Sequence, residues 1–251
     1  LLLSRDVTAL EQADAMRRDF VANVSHEIRT PLTVLTGFVE TLQTLQLDAE
    51  ERARYLAMMA QQAARMQSVV HDLLTLSRLE GSPLPGMSEW TPVQALMQRC
   101  EEESRALSAV LTQNHQRHHV LQFPAAQDLR AAGDIAGVPS ELQSALSNLI
   151  SNAVRYTPAG GTITVQWRYT ADGNAIFSVS DTGPGIAPEH IPRITERFYR
   201  VDRSRSRETG GTGLGLAIVK HAVQRHGATL DITSALGKGS VFSVTFPANR
   251  L

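Results

Sequence analysis

Two long runs of apolar residues at helical spacing limit what this chain can fold into. Phe20, Val24, Ile28, Leu32, Leu35, Val39 and Leu42 recur every three or four residues. Tyr55, Met59, Gln62, Met66, Val69, Leu73 and Leu76 do the same. Each run puts one stripe on one face of a helix. Between them, Asp48 is placed as an N-cap with Glu51 at the third helical position, which makes a capping box. Gly81 and Pro83 end the second helix. Pro31, inside the first, should bend it, because proline cannot donate to the helical ladder. Two helices that bury one stripe each leave apolar surface over. A second copy, completing a four-helix bundle, would cover it.

Beyond this hairpin the pattern changes. Residues 81–92, Gly-Ser-Pro-Leu-Pro-Gly-Met-Ser-Glu-Trp-Thr-Pro, carry little periodicity and read as a linker. Thr91, Pro92 and Gln94 read as a second capping box that opens a helix to about residue 108. Strands are predicted near 118–123, 162–170, 174–180, 228–234 and 240–247, with helices near 139–156 and 213–226. Asp172-Gly173 between two alternating runs is a hairpin signal. This second domain is expected to be a two-layer α/β sandwich, with helices on one face of a mostly antiparallel sheet.

A length of 251 residues suits two such domains. Acidic and basic residues nearly cancel, 25 against 24, so no whole-chain basic footprint points to nucleic acid. A single cysteine, Cys100, excludes an internal disulfide framework and a cysteine-based zinc site, and reads as an unreactive thiol. No apolar run reaches the roughly 18 to 20 residues of a membrane span. The chain therefore reads as soluble and suited to a reducing compartment. Its start at Leu1 rather than Met reads as a fragment of a longer protein. The spacing of His115, His118 and His119 could suggest a metal, but a strand puts 118 and 119 on opposite faces, so they are read as surface. His71, His190, His221 and His226 are read the same way.

Several segments can carry chemistry. In Ser25-His26-Glu27-Ile28-Arg29-Thr30-Pro31, a helix places His26 off the apolar face, beside a carboxylate and with the Thr30 hydroxyl one turn on. An exposed imidazole can attack phosphorus if a neighbouring carboxylate holds its tautomer and accepts the proton. Asn148, Asn152 and Arg155, followed by Tyr156, share one helical face. Two amides and a cation there suit phosphates and a hydrated Mg²⁺. Asp181, with Gly183, Gly185 and Ile186, offers an acceptor for an exocyclic amine beside glycines that admit a flat ring. The run Gly210-Gly211-Thr212-Gly213-Leu214-Gly215-Leu216 opens a helix whose amides could hold polyphosphate. It lacks the βαβ context of a dinucleotide fingerprint and the Lys-Ser/Thr pair of a Walker loop. Each motif is weak alone.

Taken in order, with Glu196-Arg197-Phe198-Tyr199-Arg200 between the last two, they resemble the sensor histidine kinases of two-component systems. The resemblance covers roughly residues 17–247. Residues 186–193 and 195–211 look closest to the phosphate-regulon branch of that family. It implies residues 1–16 as the end of a PAS-like sensor and junction, 17–80 as the dimerisation and phosphotransfer domain, 81–92 as linker, and 93–251 as a GHKL (Bergerat-type) ATP-binding domain. It implies a homodimer through the hairpin, a response-regulator receiver as partner, no direct nucleic-acid binding, and a cytoplasmic fragment of a protein anchored in the bacterial inner membrane. ATP and Mg²⁺ are the implied cofactors.

The family's residues carry over as follows. His26 would be the phosphoacceptor, Glu27 its base, and Thr30 the residue that orients water for dephosphorylating the regulator. Asn152 would ligate Mg²⁺, with Asn148 beside it. Arg155 stands where many relatives carry Lys, and Tyr156 adjoins it. Asp181 would take the adenine amine, with Gly183, Gly185 and Ile186 shaping the pocket. Gly211, Thr212, Gly213, Leu214, Gly215 and Leu216 would line the phosphates. Arg193, Arg197, Arg200, Arg203, Arg205 and Arg207 fall where the family has a mobile lid. Of these, one or two of Arg197, Arg200 and Arg203 are expected to touch phosphates or the His domain. The chain departs from the family at Gly137-Val138-Pro139, where an acidic residue usually follows the glycine. The alternatives are an ATP-binding scaffold or phosphatase without kinase activity, and an ATPase working by conformational change. The intact set of His26, Glu27, Asn152, Asp181 and Gly213 argues against the first alternative, and the His26 segment, which such ATPases lack, argues against the second.

Overall fold

The computed structural model describes residues 8–201 and 211–251. The PAS-like strand expected at the start, and Arg203, Arg205, Arg207 and Gly210, lie outside the described residues. The chain forms two compact units, residues 1–73 and 74–251.

The first unit is a helical hairpin of α1 (Thr8–Thr44) and most of α2 (Ala49–Gly81). The turn between them is set as expected. The Asp48 carboxylate accepts from the Glu51 N–H at 2.7 Å, and Glu51 accepts from the Asp48 N–H at 3.2 Å. Phe38 packs on Tyr55, with ring centres 5.6 Å apart, and Glu27 meets Arg65 farther from the turn, so the helices run antiparallel. α1 continues as one helix through a buried Pro31. Leu32 and Val39 of the first stripe stay exposed on this unit, as do Leu56 and Val70, which lie outside the second stripe.

The second unit is the expected sandwich. Five strands form one sheet in the order β2-β4-β5-β7-β6: β2 (Val120–Gln122), β4 (Thr162–Tyr169), β5 (Ala175–Asp181), β6 (Thr229–Ala235) and β7 (Gly239–Phe246). Only the β2–β4 pair is parallel. Helices α3 (Val93–Thr112), α5 (Pro139–Tyr156) and α6 (Gly215–Arg225) make the other layer. Leu142, Leu146, Leu149 and Ile150 of α5 share one buried core with Val165, Phe177, Val179 and Val244 of the sheet. The β4–β5 hairpin turns at Gly173, whose φ of 79° needs glycine.

Three short elements have no counterpart in the sequence reading. They are β1 (Trp90–Pro92), α4 (Ala126–Ala131) and β3 (Asp134–Ala136), each too short to show a period. β1 corrects the second capping box. Thr91 is extended and pairs with Ile135, and its hydroxyl donates to the Gly137 carbonyl, so it cannot cap α3. α3 starts at Val93 without a side-chain cap and runs on to Thr112.

The histidines also need correction. His226 is fully buried, not on the surface. Its Nδ1–H donates to the Ala222 carbonyl at 2.7 Å, and its Nε2 accepts from the Val138 N–H at 3.2 Å, at the start of α5. The ring occupies the space that a Cβ on Gly137 would need. The Gly137-Val138-Pro139 departure is thus a change of geometry: Pro139 takes the first helical position and a histidine caps the end. Burial pushes the His226 imidazole below its ordinary pKa. His119 is half-buried and links the Ser108 hydroxyl to the Thr157 carbonyl. Cys100 is buried among Ser147 and Gln143, and burial raises its thiol pKa to about 11, as an unreactive thiol requires.

Residues 74–83 are fastened to this unit. Leu76 and Leu79 are buried. Arg225, at the end of α6, uses its whole guanidinium. It forms a bidentate pair with Glu141 at 2.9 and 3.0 Å and donates to the Leu79, Ser82 and Pro83 carbonyls at 2.7–2.8 Å. Both side chains of the pair are mostly buried, 8% and 13% exposed. Arg225→Ala would leave Glu141 buried without its cation, and is expected to lower unfolding free energy by about 3 kcal/mol. Denaturant melts of the two forms measure this, and a loss under about 1 kcal/mol would contradict it.

Candidate functional site

In the first unit, His26 is exposed on α1, off the packed face. The Thr30 hydroxyl donates to the His26 carbonyl at 3.0 Å. Glu27, one residue on, turns toward α2, where Arg65 Nη2 donates to its Oε2 at 2.9 Å. The two side chains are 19% and 14% exposed. Arg65 is a partner of Glu27 that the sequence reading missed. Its only signal is an arginine beside Met66 in an apolar stripe.

In the second unit the candidate residues gather around the last turns of α5. Asn148 donates to the Ser144 carbonyl at 2.8 Å, and its Oδ1 lies 2.5 Å from where a Cβ on Gly215 would stand. Gly215 is therefore the close approach that lets the start of α6 rest on Asn148. One turn later, the half-buried Asn152 amide makes no side-chain hydrogen bond among the described residues. Arg155 is half-buried beside it and Tyr156 is exposed.

Asp181 ends β5 and is 8% exposed. Its Oδ1 accepts from the Gly183 N–H at 2.8 Å, and the Ser240 N–H of β7 also donates to the carboxylate. Burial nonetheless raises its pKa above the ordinary carboxylate value, with the two N–H groups opposing. Ile186 donates its N–H to the Ser234 hydroxyl at 2.7 Å, which fixes the glycine turn against the β6–β7 end. Gly185, with φ of 72°, lies so close to the Ala235 carbonyl that a Cβ would sit 2.0 Å from it.

The glycine run before α6 is tied to the preceding aromatic motif. Phe198, at φ 61°, donates its N–H to the Gly213 carbonyl at 2.8 Å, and Arg200 donates to the Gly211 carbonyl. The buried Thr212 hydroxyl accepts from the Leu214 N–H, and Leu214 is itself fully buried. Gly215 and Leu216 then start α6, whose first-turn N–H groups have no helical acceptor. Arg197 pairs with Glu80, and His221 Nε2 lies 3.5 Å from the same carboxylate.

This donor set fits a magnesium nucleotide. Asp181 could offer a carboxylate to a purine amine, Asn152 an amide without a side-chain hydrogen bond among the described residues, and the α6 terminus its amides to anions.

Residues 16–82 match the model of the His Kinase A (phospho-acceptor) domain. Residues 137–250 match that of the histidine kinase-, DNA gyrase B- and HSP90-like ATPases. The chain belongs to the sensor histidine kinases. Over 247 residues it is 49% identical to the phosphate regulon sensor protein PhoR of Pseudomonas aeruginosa, covering 98% of this chain and 53% of that protein. It is 34% identical to the sensor protein SrrB of Staphylococcus aureus, covering 97% of this chain and 40% of that one. This kinase chain therefore spans about half, or less, of the length of these relatives. Among solved structures it resembles full-length ShkA in complex with AMPPNP, with a TM-score of 0.59 and 29% identity over 91% of this chain and 45% of that one. The Acinetobacter baumannii kinase AdeS shares the fold at TM-score 0.64 and 22% identity, over 89% of this chain and 98% of that one. No described helix of the chain is long and apolar enough to cross a membrane.

Proposed function

We propose that this chain is the phosphotransfer and ATP-binding part of a sensor kinase that phosphorylates its own His26 from Mg-ATP. It then passes the phosphoryl group to an aspartate of a response regulator and also removes it from that regulator. The observation that carries the reading is an exposed His26 beside a pinned carboxylate, in a chain that also holds the buried acceptor Asp181.

In the transfer an imidazole nitrogen of His26 bonds to the γ-phosphorus as the bond to ADP breaks, and Glu27 takes the imidazole proton. Asp181 holds the adenine amine, while Gly183, Gly185 and Ile186 shape the ring's slot. The run from Gly211 to Leu216 holds the phosphates at the α6 terminus, and Arg155 contacts them. One or two of Arg197, Arg200 and Arg203 would touch the phosphates or the His domain, and of these Arg197 meets Glu80 and Arg200 the Gly211 carbonyl. Asn152 would ligate Mg²⁺, which supplies neutralisation of phosphate charge. Thr30 would orient water in the reverse reaction on the regulator.

The exposed Leu32, Val39, Leu56 and Val70 favour a homodimer through the hairpin. Likeness to the phosphate regulon sensor favours phosphate limitation as the pathway and a membrane-anchored parent with this part in the cytoplasm. The division proposed is phosphotransfer at 17–80, linker at 81–92 and ATP binding at 93–251.

The test is incubation with Mg²⁺ and γ-labelled ATP, followed by a chase with a receiver domain. Acid-labile, alkali-stable label that moves to the receiver supports the proposal. Tight nucleotide binding without label would replace it with the scaffold or phosphatase reading.

A further inference from the structure

Asp181, Ser240 and Ser234 stand in one row across the sheet. Asp181 on β5 is paired with Ser240 on β7, and Ser240 with Ser234 on β6. Residues directly opposite on antiparallel strands put their side chains on the same face. At the end of this row the half-buried Ser234 hydroxyl meets three groups. The Ile186 N–H donates to it at 2.7 Å, and the Gly239 carbonyl and the Ser240 hydroxyl each lie 2.9 Å away. A hydroxyl has one proton and two lone pairs. The assignment that satisfies all three contacts sends the Ser234 proton to the Gly239 carbonyl, which can only accept. The lone pairs then take the Ser240 proton and the Ile186 N–H. Ser234 thus joins the two segments that hold the Asp181 carboxylate. One is the turn from Gly183 to Ile186, whose Gly183 N–H donates to that carboxylate at 2.8 Å. The other is the start of β7, whose Ser240 N–H donates to it as well. Two more ties run between the same turn and the β6–β7 end. The Gly237 N–H donates to the Pro184 carbonyl at 2.8 Å, and Gly185 lies against the Ala235 carbonyl with no room for a Cβ. These two are made by backbone, so Ser234 supplies a side-chain part of the junction.

We propose that Ser234 is a positioning residue for recognition of the base. It fixes the 183–186 turn against β7, so that the Asp181 carboxylate stays aimed at the exocyclic amine of a purine, and it thereby sets the preference for a 6-amino over a 6-oxo purine. The proposal rests on the reading of Asp181 as the acceptor of that amine. Each N–H on the carboxylate belongs to a segment that Ser234 holds, so loss of the hydroxyl lets both segments shift and turns the carboxylate from its angle. β6, which carries none of the residues that the family resemblance names, becomes part of the specificity of the site.

The experiment is a calorimetric titration of the full chain and its variants with Mg-ATP and with magnesium inosine triphosphate, whose 6-oxygen cannot donate to Asp181. The wild type should bind ATP at least about 10-fold more tightly, the worth of one hydrogen bond to a charged group. Ser234→Ala should weaken ATP binding about 5- to 10-fold and change the affinity for inosine triphosphate less than about twofold. The ratio of the two dissociation constants is the readout, because a purely structural role weakens both nucleotides by the same factor. A ratio kept within about twofold of the wild type in Ser234→Ala overturns the proposal, and a larger fall in the preference for ATP supports it. If Ser234→Ala does not fold, Ser234→Cys, whose thiol is a weak donor and acceptor, decides by the same ratio. A wild type without preference for ATP, or an Asp181→Asn chain that keeps the full preference, would instead strike the reading of Asp181 before any Ser234 variant is compared.

Discussion

A His26→Gln chain is expected to fold, bind nucleotide and carry no covalent phosphate. Glutamine keeps the polarity and much of the size of histidine but has no nitrogen lone pair able to attack phosphorus. His26 is exposed, so the exchange should change stability by no more than about 0.5 kcal/mol. It lies in the first unit, whereas Asp181, Asn152 and the α6 terminus lie in the second, so nucleotide affinity should stay the same. Deleting a nucleophile removes the contribution of the whole catalytic unit, and labelling should fall by at least about 10³-fold. Label incorporation over time, beside nucleotide titration of the same sample, measures both. Label that persists at another residue would show that His26 is not the acceptor.

The second large effect is expected at the other end of the reaction. Asp181→Asn should weaken ATP binding by at least about 100-fold, close to 3 kcal/mol. An ionised Asp181 only accepts, taking the Gly183 and Ser240 N–H groups with lone pairs left for a purine amine. Asparagine has one oxygen and one NH₂. With the oxygen on Gly183, the NH₂ must face a donor, from either Ser240 or the ligand. The carboxylate also makes binding depend on pH. Its pKa is raised by burial, so acidification protonates it sooner than an ordinary aspartate and removes acceptor capacity. Affinity for ATP should therefore fall with pH from above the usual carboxylate range, and Asp181→Asn should abolish that part of the dependence. Stability moves the other way. A group that binds its proton more tightly in the folded state than in the unfolded state adds stability as pH falls through the raised value. Calorimetric titrations of both forms across this range test the prediction, and an unchanged Kd in the variant would remove Asp181 from the site.

Several elements follow from local pattern alone. The Asp48–Glu51 box forms as read, because both partners lie within one turn and need no other part of the molecule. α5 starts at Pro139 and ends at Tyr156 as its apolar period requires, and the β4–β5 turn falls at Asp172-Gly173. Thr91 shows where local pattern misleads. Its spacing to Gln94 suits a cap, but Ile135 offers backbone pairing 44 positions away, and extended backbone cannot also cap. His226 misleads in the same way. Nothing around it in sequence marks it as buried, because the space it fills is made by a glycine on another element, Gly137.

The sequence by itself therefore determined the hairpin, the sandwich, and which residue types stand ready for phosphoryl transfer. These depend on periods, caps and motifs whose physics acts within a few residues. Only the tertiary structure decided who holds them: Arg65 on Glu27, Ser240 on Asp181, Asn148 under Gly215, and Arg225 across the Leu79, Ser82 and Pro83 carbonyls. Each of these joins positions tens of residues apart. Packing of whole helices and strands brings such groups into contact, and no spacing along the chain encodes that.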